Sequence, residues 1–290
     1  MDNAIFMKFV TLTIFSLMFA IGINRSFRQL TTLWRRPGLL LRSLMAAVVL
    51  VPAVVVLLLW IFSLPTAVAT GLAVLAAAPG APLTTKRVEM AGGDPEYSAS
   101  LQLTLALLAF VLTPLTLAIF NALFELSVEK VTAFQVASQV ARVTFLPVVV
   151  GLLIQRLAPG VAARIGKPAA VFAKGLFILL FAGVILLLAL VPDLRAMLNL
   201  GGPSIAAIIV MVGSSLAIGH LLGGPSRTTC STLAIASIAR NVGLALFIAG
   251  LSDYGQKFIP TLLAYMILGV LLAVPYSLLS KRRMRLRRTA

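Results

Sequence analysis

A single cysteine, Cys230, and a single histidine, His220, occur in 290 residues. The first excludes an internal disulfide and a cysteine metal cluster. The second leaves no set of imidazole ligands for zinc or haem. Acid is also scarce, with 8 Asp+Glu against 24 Lys+Arg and a net charge of +16. Charged residues make up 11% of the chain and hydrophobic ones 60%, whereas soluble domains carry roughly 25% and 45–50%. A mean hydropathy of +1.07 is incompatible with an ordinary water-facing surface. Intramembrane proteolysis or acyl transfer needs a Ser/His, paired-Asp or zinc constellation, and no enzyme is expected here. In a soluble protein the basic excess would point to nucleic acid. In an apolar chain it is the signature of basic cytoplasmic loops, so no nucleic-acid partner is expected.

What the sequence has instead is long apolar runs, at 5–23, 38–61, 66–91, 98–121, 128–156, 168–191, 203–222, 227–250 and 258–280. Each can cross about 30 Å of hydrocarbon as a helix. Short segments separate them: Arg35-Arg36-Pro37, Gly92-Gly93-Asp94-Pro95, Pro159-Gly160, Gly201-Gly202-Pro203 and Gly223-Gly224-Pro225. Proline and glycine break helices, so these clusters read as turns. Nine spans of about 22 residues use roughly 200 residues, which leaves no room for a soluble catalytic domain. The first run is long for a signal segment, and Asp2 and Lys8 make only a weak leader, so it reads as a retained helix.

Charge then sets the orientation. Place the tail Lys281-Arg282-Arg283-Met284-Arg285-Leu286-Arg287-Arg288 in the cytoplasm and alternate backwards. Arg25, Arg28, Arg35, Arg36, Arg42, Lys86, Arg87, Arg164, Lys167 and Arg227 then fall inside. The outer segments keep Lys8, Lys130, Arg195 and Lys257 beside Asp2, Glu125, Glu129, Asp193 and Asp253. That asymmetry follows the positive-inside rule and gives an N-terminus outside and a C-terminus inside. The tail, 281–290, reads first as an anchor to anionic lipid, worth about 1 kcal/mol per charge, and otherwise as a partner-binding element.

Two runs are interrupted. In the third, Pro79-Gly80-Ala81-Pro82-Leu83-Thr84-Thr85 breaks an apolar segment at membrane depth, where freed backbone groups must be satisfied by protein or water. In the eighth, Arg240 and Asn241 sit midway along an apolar span with Gly243 close by. A central arginine costs about 2.5–3.5 kcal/mol on insertion scales and faces a cavity, a partner or a substrate. It can equally bind the carbonyls of a broken helix, and the two roles can coexist. One interrupted segment in each half points to an inverted-repeat secondary transporter. The first repeat, 1–121, has four spans and the second, 128–280, has five. This fits a five-plus-five fold that lacks its first helix, with the two broken helices crossing.

These residues resemble the bile acid:sodium symporter superfamily, which includes plant and bacterial organic-acid carriers and arsenite exporters. Pro79-Gly80-Ala81-Pro82-Leu83-Thr84-Thr85 is similar to the family's Pro-Gly-Gly-Thr-Ala-Ser-Asn crossover. Arg240-Asn241-Val242-Gly243-Leu244-Ala245 is similar to its Gln-Asn-Ser-Gly-Leu-Ala crossover. The resemblance implies sodium sites built from the Ser-Asn pair, hydroxyls on the next helix, and a Glu and Gln of the second crossover. Here Thr84 and Thr85 take the Ser-Asn positions, Ser98 and Gln102 lie near the hydroxyl row, Ala236 takes the Glu position and Arg240 the Gln position. Glu89, Glu125 and Glu129 all lie near span ends. A guanidinium where a cation should bind opposes sodium, because like charges repel strongly at low dielectric.

The expectation is therefore an all-α polytopic membrane protein forming one transporter domain over 1–290. It would move a small carboxylate-type anion by alternating access, with Arg240 as a fixed positive charge in place of sodium. The alternative is a sodium-coupled organic-anion or bile-acid-type symporter. The expected substrate site is Pro79, Gly80, Pro82, Thr84, Thr85, Ser98, Gln102, Ser237, Arg240 and Asn241. No cofactor or metal site is expected, and the partners are an anionic small molecule and the bilayer, in a bacterial inner membrane. A pore would need a continuous polar stripe, whereas the polar residues gather at two breaks. The absence of extramembrane domains argues against a receptor or scaffold. Arg142 reads equally as cavity lining or as interfacial, Arg156 and Lys174 as snorkelling side chains, and His220 as interfacial. Cys230 stands in the second crossover, whereas arsenite carriers use a cysteine of the first, which disfavours arsenite export. Gly213, Ser214, Ser215 and Gly219 read as small-residue helix contacts.

Overall fold

The structure, a computed structural model, describes residues 3–82, 84–126, 132–190, 200–252 and 254–286. Asp2, Leu83, Glu129, Lys130, Asp193, Arg195, Asp253, Arg287 and Arg288, which entered the motif or the charge pattern above, lie outside the described residues. The described chain is helical: α1 (Asn3–Asn24), the short α2 (Phe27–Leu30), α3 (Pro37–Ile61), α4 (Thr66–Ala77), α5 (Thr84–Met90), α6 (Pro95–Phe124), α7 (Phe134–Leu157), α8 (Pro159–Leu190), α9 (Gly202–Leu222), α10 (Arg227–Ile238), α11 (Val242–Gly250) and α12 (Gly255–Leu286). Among the described residues, five helices are long and apolar enough to cross a bilayer: α3, α6, α7, α9 and α12.

Two element ends differ from the sequence reading. Pro159-Gly160, expected in a turn, opens α8 instead; proline lacks the N–H that a first helical turn leaves unpaired anyway. The tail does not leave the last helix at residue 281, because α12 continues through Lys281 to Leu286.

Proline shapes the long helices from within. The winding of α3 widens to a π-type stretch over Met45–Leu50, just before Val51-Pro52. α7 does the same over Ala141–Phe145, before Leu146-Pro147. A proline cannot donate to the carbonyl four residues earlier and clashes with it. Widening the turn relieves that clash and leaves carbonyls available to other partners.

Small residues set the seams. Gly22 and Gly151 let α1 and α7 touch backbone to backbone, since a Cβ on Gly22 would lie 2.3 Å from the Val148 carbonyl oxygen. Gly219 does the same for α9 against Leu233 and Ala234 of α10. α1 packs along α7 and α8, α10 along α9, and α12 against α4, α9 and α11. From Val68 to Ala77 every residue of α4 is buried, so this half-helix forms the centre of the core. The turn Ala91-Gly92-Gly93-Asp94 docks on α10, where Ser231 Oγ donates to the Ala91 carbonyl and Thr232 Oγ1 accepts from the Asp94 N–H at 2.7 Å.

Candidate functional site

The two helix breaks lie against each other. Pro79 and Arg240 form an antiparallel bridge, made by Ala81 N–H donating to Ala239 O at 3.0 Å and Asn241 N–H donating to Ala78 O at 2.8 Å. The bridging pair itself exchanges no hydrogen bond, so proline is tolerated there without an unmet donor. On one strand, proline removes Ala78 from helical geometry (φ −114°, ψ 70°) and Gly80 takes φ +83°. On the other, Ala239 (φ −80°, ψ 85°) and Asn241 (φ −77°, ψ 80°) are the centres of two successive inverse γ-turns. Their closing bonds are Arg240 N–H to Ile238 O at 3.0 Å and Val242 N–H to Arg240 O at 2.9 Å.

A broken helix leaves carbonyls at one end and N–H groups at the other, and each needs a partner at membrane depth. The Tyr265 hydroxyl donates to Ile238 O at 2.9 Å. The Asn241 side chain accepts from Leu244 N–H at 3.0 Å and so caps α11. The Arg240 Nη1 donates to Ala47 O, in the π-wound stretch of α3, at 2.9 Å and more weakly to Ala76 O, at the end of α4, at 3.4 Å. Arg240 is only 3% exposed, and its Nε and Nη2 atoms have no hydrogen-bond partner. α4 and α10 both end here, and each helix C-terminus carries a partial charge of about −0.5. The guanidinium therefore occupies the place where a positive charge is best held.

Beside the breaks lies a cavity of about 120 Å³. α1 contributes Val10, Thr13, Ile14 and Leu17; the first break and α5 contribute Ala81, Pro82, Thr84 and Arg87. α12 adds Tyr265 and Met266, and α11 adds Gly243 and Leu246. Among the described residues no Asp or Glu lines it. Gly243 admits the Ile14 side chain, since a Cβ there would lie 2.4 Å from Ile14 Cδ1.

Of the residues singled out in the sequence, Pro82, Thr84 and Arg240 line this cavity. Thr84 Oγ1 donates to Ala81 O at 2.6 Å. Pro79, Gly80 and Asn241 build the breaks without lining it. Ser98 Oγ meets Thr85 Oγ1 at 3.5 Å in a buried layer behind it. Gln102 lies apart, its amide donating to Met18 Sδ at 3.4 Å beside a separate cavity of about 20 Å³. Ser237 is buried with no partner for its hydroxyl. Arg142, Arg156 and Lys174 are exposed on the helix surface. His220 is exposed and pairs with the Tyr276 hydroxyl at 2.7 Å.

Three polar lining residues lie outside the site expected from the sequence. Arg87 was grouped with Lys86 among the cytoplasmic basic residues, although it stands three residues after Thr84 and so on the same helical face. Tyr265 carries a polar tip midway in an apolar stretch of its span, a signal weaker than Arg240 but of the same kind. Thr13 gave no signal, because its hydroxyl bonds its own helix at Phe9 O.

A model of the Sodium Bile acid symporter family matches residues 11–192. The chain belongs to that family. The match runs from within α1 through the whole first break to the end of α8. Members of the Sodium Bile acid symporter family are secondary transporters, often coupled to sodium, so this chain is a multi-pass membrane protein of a transporter family. None of the curated proteins compared matches the chain.

Proposed function

We propose that the chain is a secondary carrier of a small organic anion that works by alternating access without a sodium ion, Arg240 supplying the fixed charge. The observation that carries this reading is the Arg240 Nη1 bonded to carbonyls of α3 and α4 at the junction of the two breaks. Unwound carbonyls and half-helix C-termini are what coordinate sodium in carriers with broken helices. Here a guanidinium holds those acceptors, and among the described residues no carboxylate lines the cavity to help a second cation. A sodium ion placed among the same carbonyls would sit a few ångströms from a like charge at low dielectric.

Nine spans fit the helices, counting α4 with α5 and α10 with α11 as one span each. An inverted repeat, N-terminus outside and tail inside, is supported by the antiparallel pairing of the breaks and by the charge asymmetry. Bacterial inner membrane fits the short connections between the described helices and the strong basic bias. The cavity lies between α1 and α8 on one side and the paired breaks with α12 on the other. Rocking of α1, α7 and α8 against the rest would open it to one face and then the other. The Ile14–Gly243 contact is one point where those two bodies touch at the site.

The test is thermal stability of the purified protein against a panel of mono- and dicarboxylates, in sodium chloride and in choline chloride. A ligand of the folded state raises the midpoint according to its concentration over Kd. Equal carboxylate shifts in the two salts are expected. A shift seen only with sodium would return the chain to the sodium-coupled organic-anion symporters.

A further inference from the structure

Resting on the anion-carrier reading above, we propose that Arg87 is the residue that grips the cargo, and that the cargo is a compact aliphatic monocarboxylate rather than a dicarboxylate. Arg87 lines the cavity, and its side chain makes no hydrogen bond or ion pair among the described residues. The nearest acid along its helix, Glu89, is taken by Arg25 at 3.5 Å and Lys86 at 2.6 Å, away from the cavity lining. A guanidinium at that depth without an anion is costly, and a carboxylate in the cavity removes the cost with paired, charge-assisted hydrogen bonds.

The two arginines of the site are not equivalent. Arg240 faces two helix C-termini whose partial charges, about −0.5 each, sum to roughly its own charge with opposite sign. Its Nη1 is already bonded to Ala47 O and Ala76 O. The Arg87 side chain has no carbonyl acceptor among the described residues. The site therefore has about one positive charge left to neutralise, which selects a monoanion.

The other polar side chains do not add donors. The hydroxyls of Thr13, Thr84 and Tyr265 already donate to Phe9 O, Ala81 O and Ile238 O. What they offer the cavity is acceptor oxygens, which repel a carboxylate. The remaining wall is apolar, with Val10, Ile14, Leu17, Leu246 and Met266. A second carboxylate at the far end of the cargo, turned away from the two guanidiniums, would be pressed against this apolar wall with no donor, and burying an unpaired charge is prohibitive. An alkyl chain fits it. Size limits its length, because a cavity of about 120 Å³ compares with the roughly 150 Å³ that takes a benzene.

The experiment follows the thermal midpoint of the full chain in detergent as butyrate, pentanoate, succinate, glutarate and neutral butyramide are titrated at constant ionic strength. Butyrate and pentanoate should raise the midpoint saturably, with succinate, glutarate and butyramide far weaker. Arg87→Gln should weaken monocarboxylate binding about tenfold to a hundredfold, the range for a lost hydrogen bond to a charged group. Arg87→Lys, which keeps the charge and loses the fork, should fall between. Dicarboxylates binding better than monocarboxylates, or unchanged affinity in Arg87→Gln, would overturn the assignment and leave the anion carrier standing. If Arg87→Gln does not fold, Arg87→Lys and the wild-type preference for butyrate over butyramide decide: equal binding of acid and amide overturns it. No shift with any carboxylate in the wild type sinks the carrier reading itself.

Discussion

The two helix breaks reach the same extended geometry by opposite routes. The first, Ala78 to Pro82, is written locally, since two prolines and a glycine at φ +83° forbid a continuous helix whatever surrounds them. The second, Ala239 to Asn241, contains residues that can all stand in a helix. Its unwinding is held from outside, by the backbone pairing with Ala78 and Ala81 and by Arg240 reaching Ala47 and Ala76. One break is a template and the other is folded onto it. The charge follows the same division, because the templated strand is the one that carries Arg240 into the junction. A break held by tertiary contacts is also one that a change in those contacts can alter, which is where a carrier needs compliance.

Substitutions can break this comparison, and their expected effects fall in a clear order. Arg240→Ala leaves the acceptors at Ala47 and Ala76 and two helix C-termini without a cation. A loss of about 3 kcal/mol is expected, from one strong and one weak hydrogen bond to a charged donor, read as a lower unfolding midpoint in detergent. A near-neutral Arg240→Ala would mean that the second break holds itself. Gly80→Ala forces a side chain into φ +83° with its Cβ 3.1 Å from Leu105 Cβ, and about 1–2 kcal/mol is expected. Asn241→Ala removes the α11 cap and should cost about 1 kcal/mol. Pro79→Ala is the mildest. Both bridging hydrogen bonds belong to its neighbours, so about 0.4–1 kcal/mol of lost rigidity is expected. Hydrogen exchange at the Ala81 and Asn241 amides should show the bridge intact in Pro79→Ala and opened in Arg240→Ala.

The same division explains what could be read from the sequence. The first break and most turns were legible because Pro and Gly act through local sterics. Helix class was legible because apolar runs of this length have few other destinations. Arg240 stood out by its cost at membrane depth, though its partners did not. Ala47 O lies 193 residues away and is available because Pro52 widens α3, a relation that no local pattern carries. Ser98 and Gln102 rest on analogy with a sodium site, and they, like Ser237, fall outside the cavity lining. Arg87 was misfiled by its neighbour Lys86, because charge counting assigns basic residues to a loop and ignores which helical face each one takes. α5 turns Lys86 outward and Arg87 to the cavity wall.

The central claim is that Arg240 takes the place of a sodium ion. Its most direct test is uptake into proteoliposomes of whichever carboxylate most stabilises the wild-type protein, with external sodium chloride or choline chloride at equal ionic strength. Equal initial rates in the two salts are predicted. Uptake that falls to the protein-free background in choline would contradict the account and leave Arg240 a structural staple of an ordinary sodium symporter.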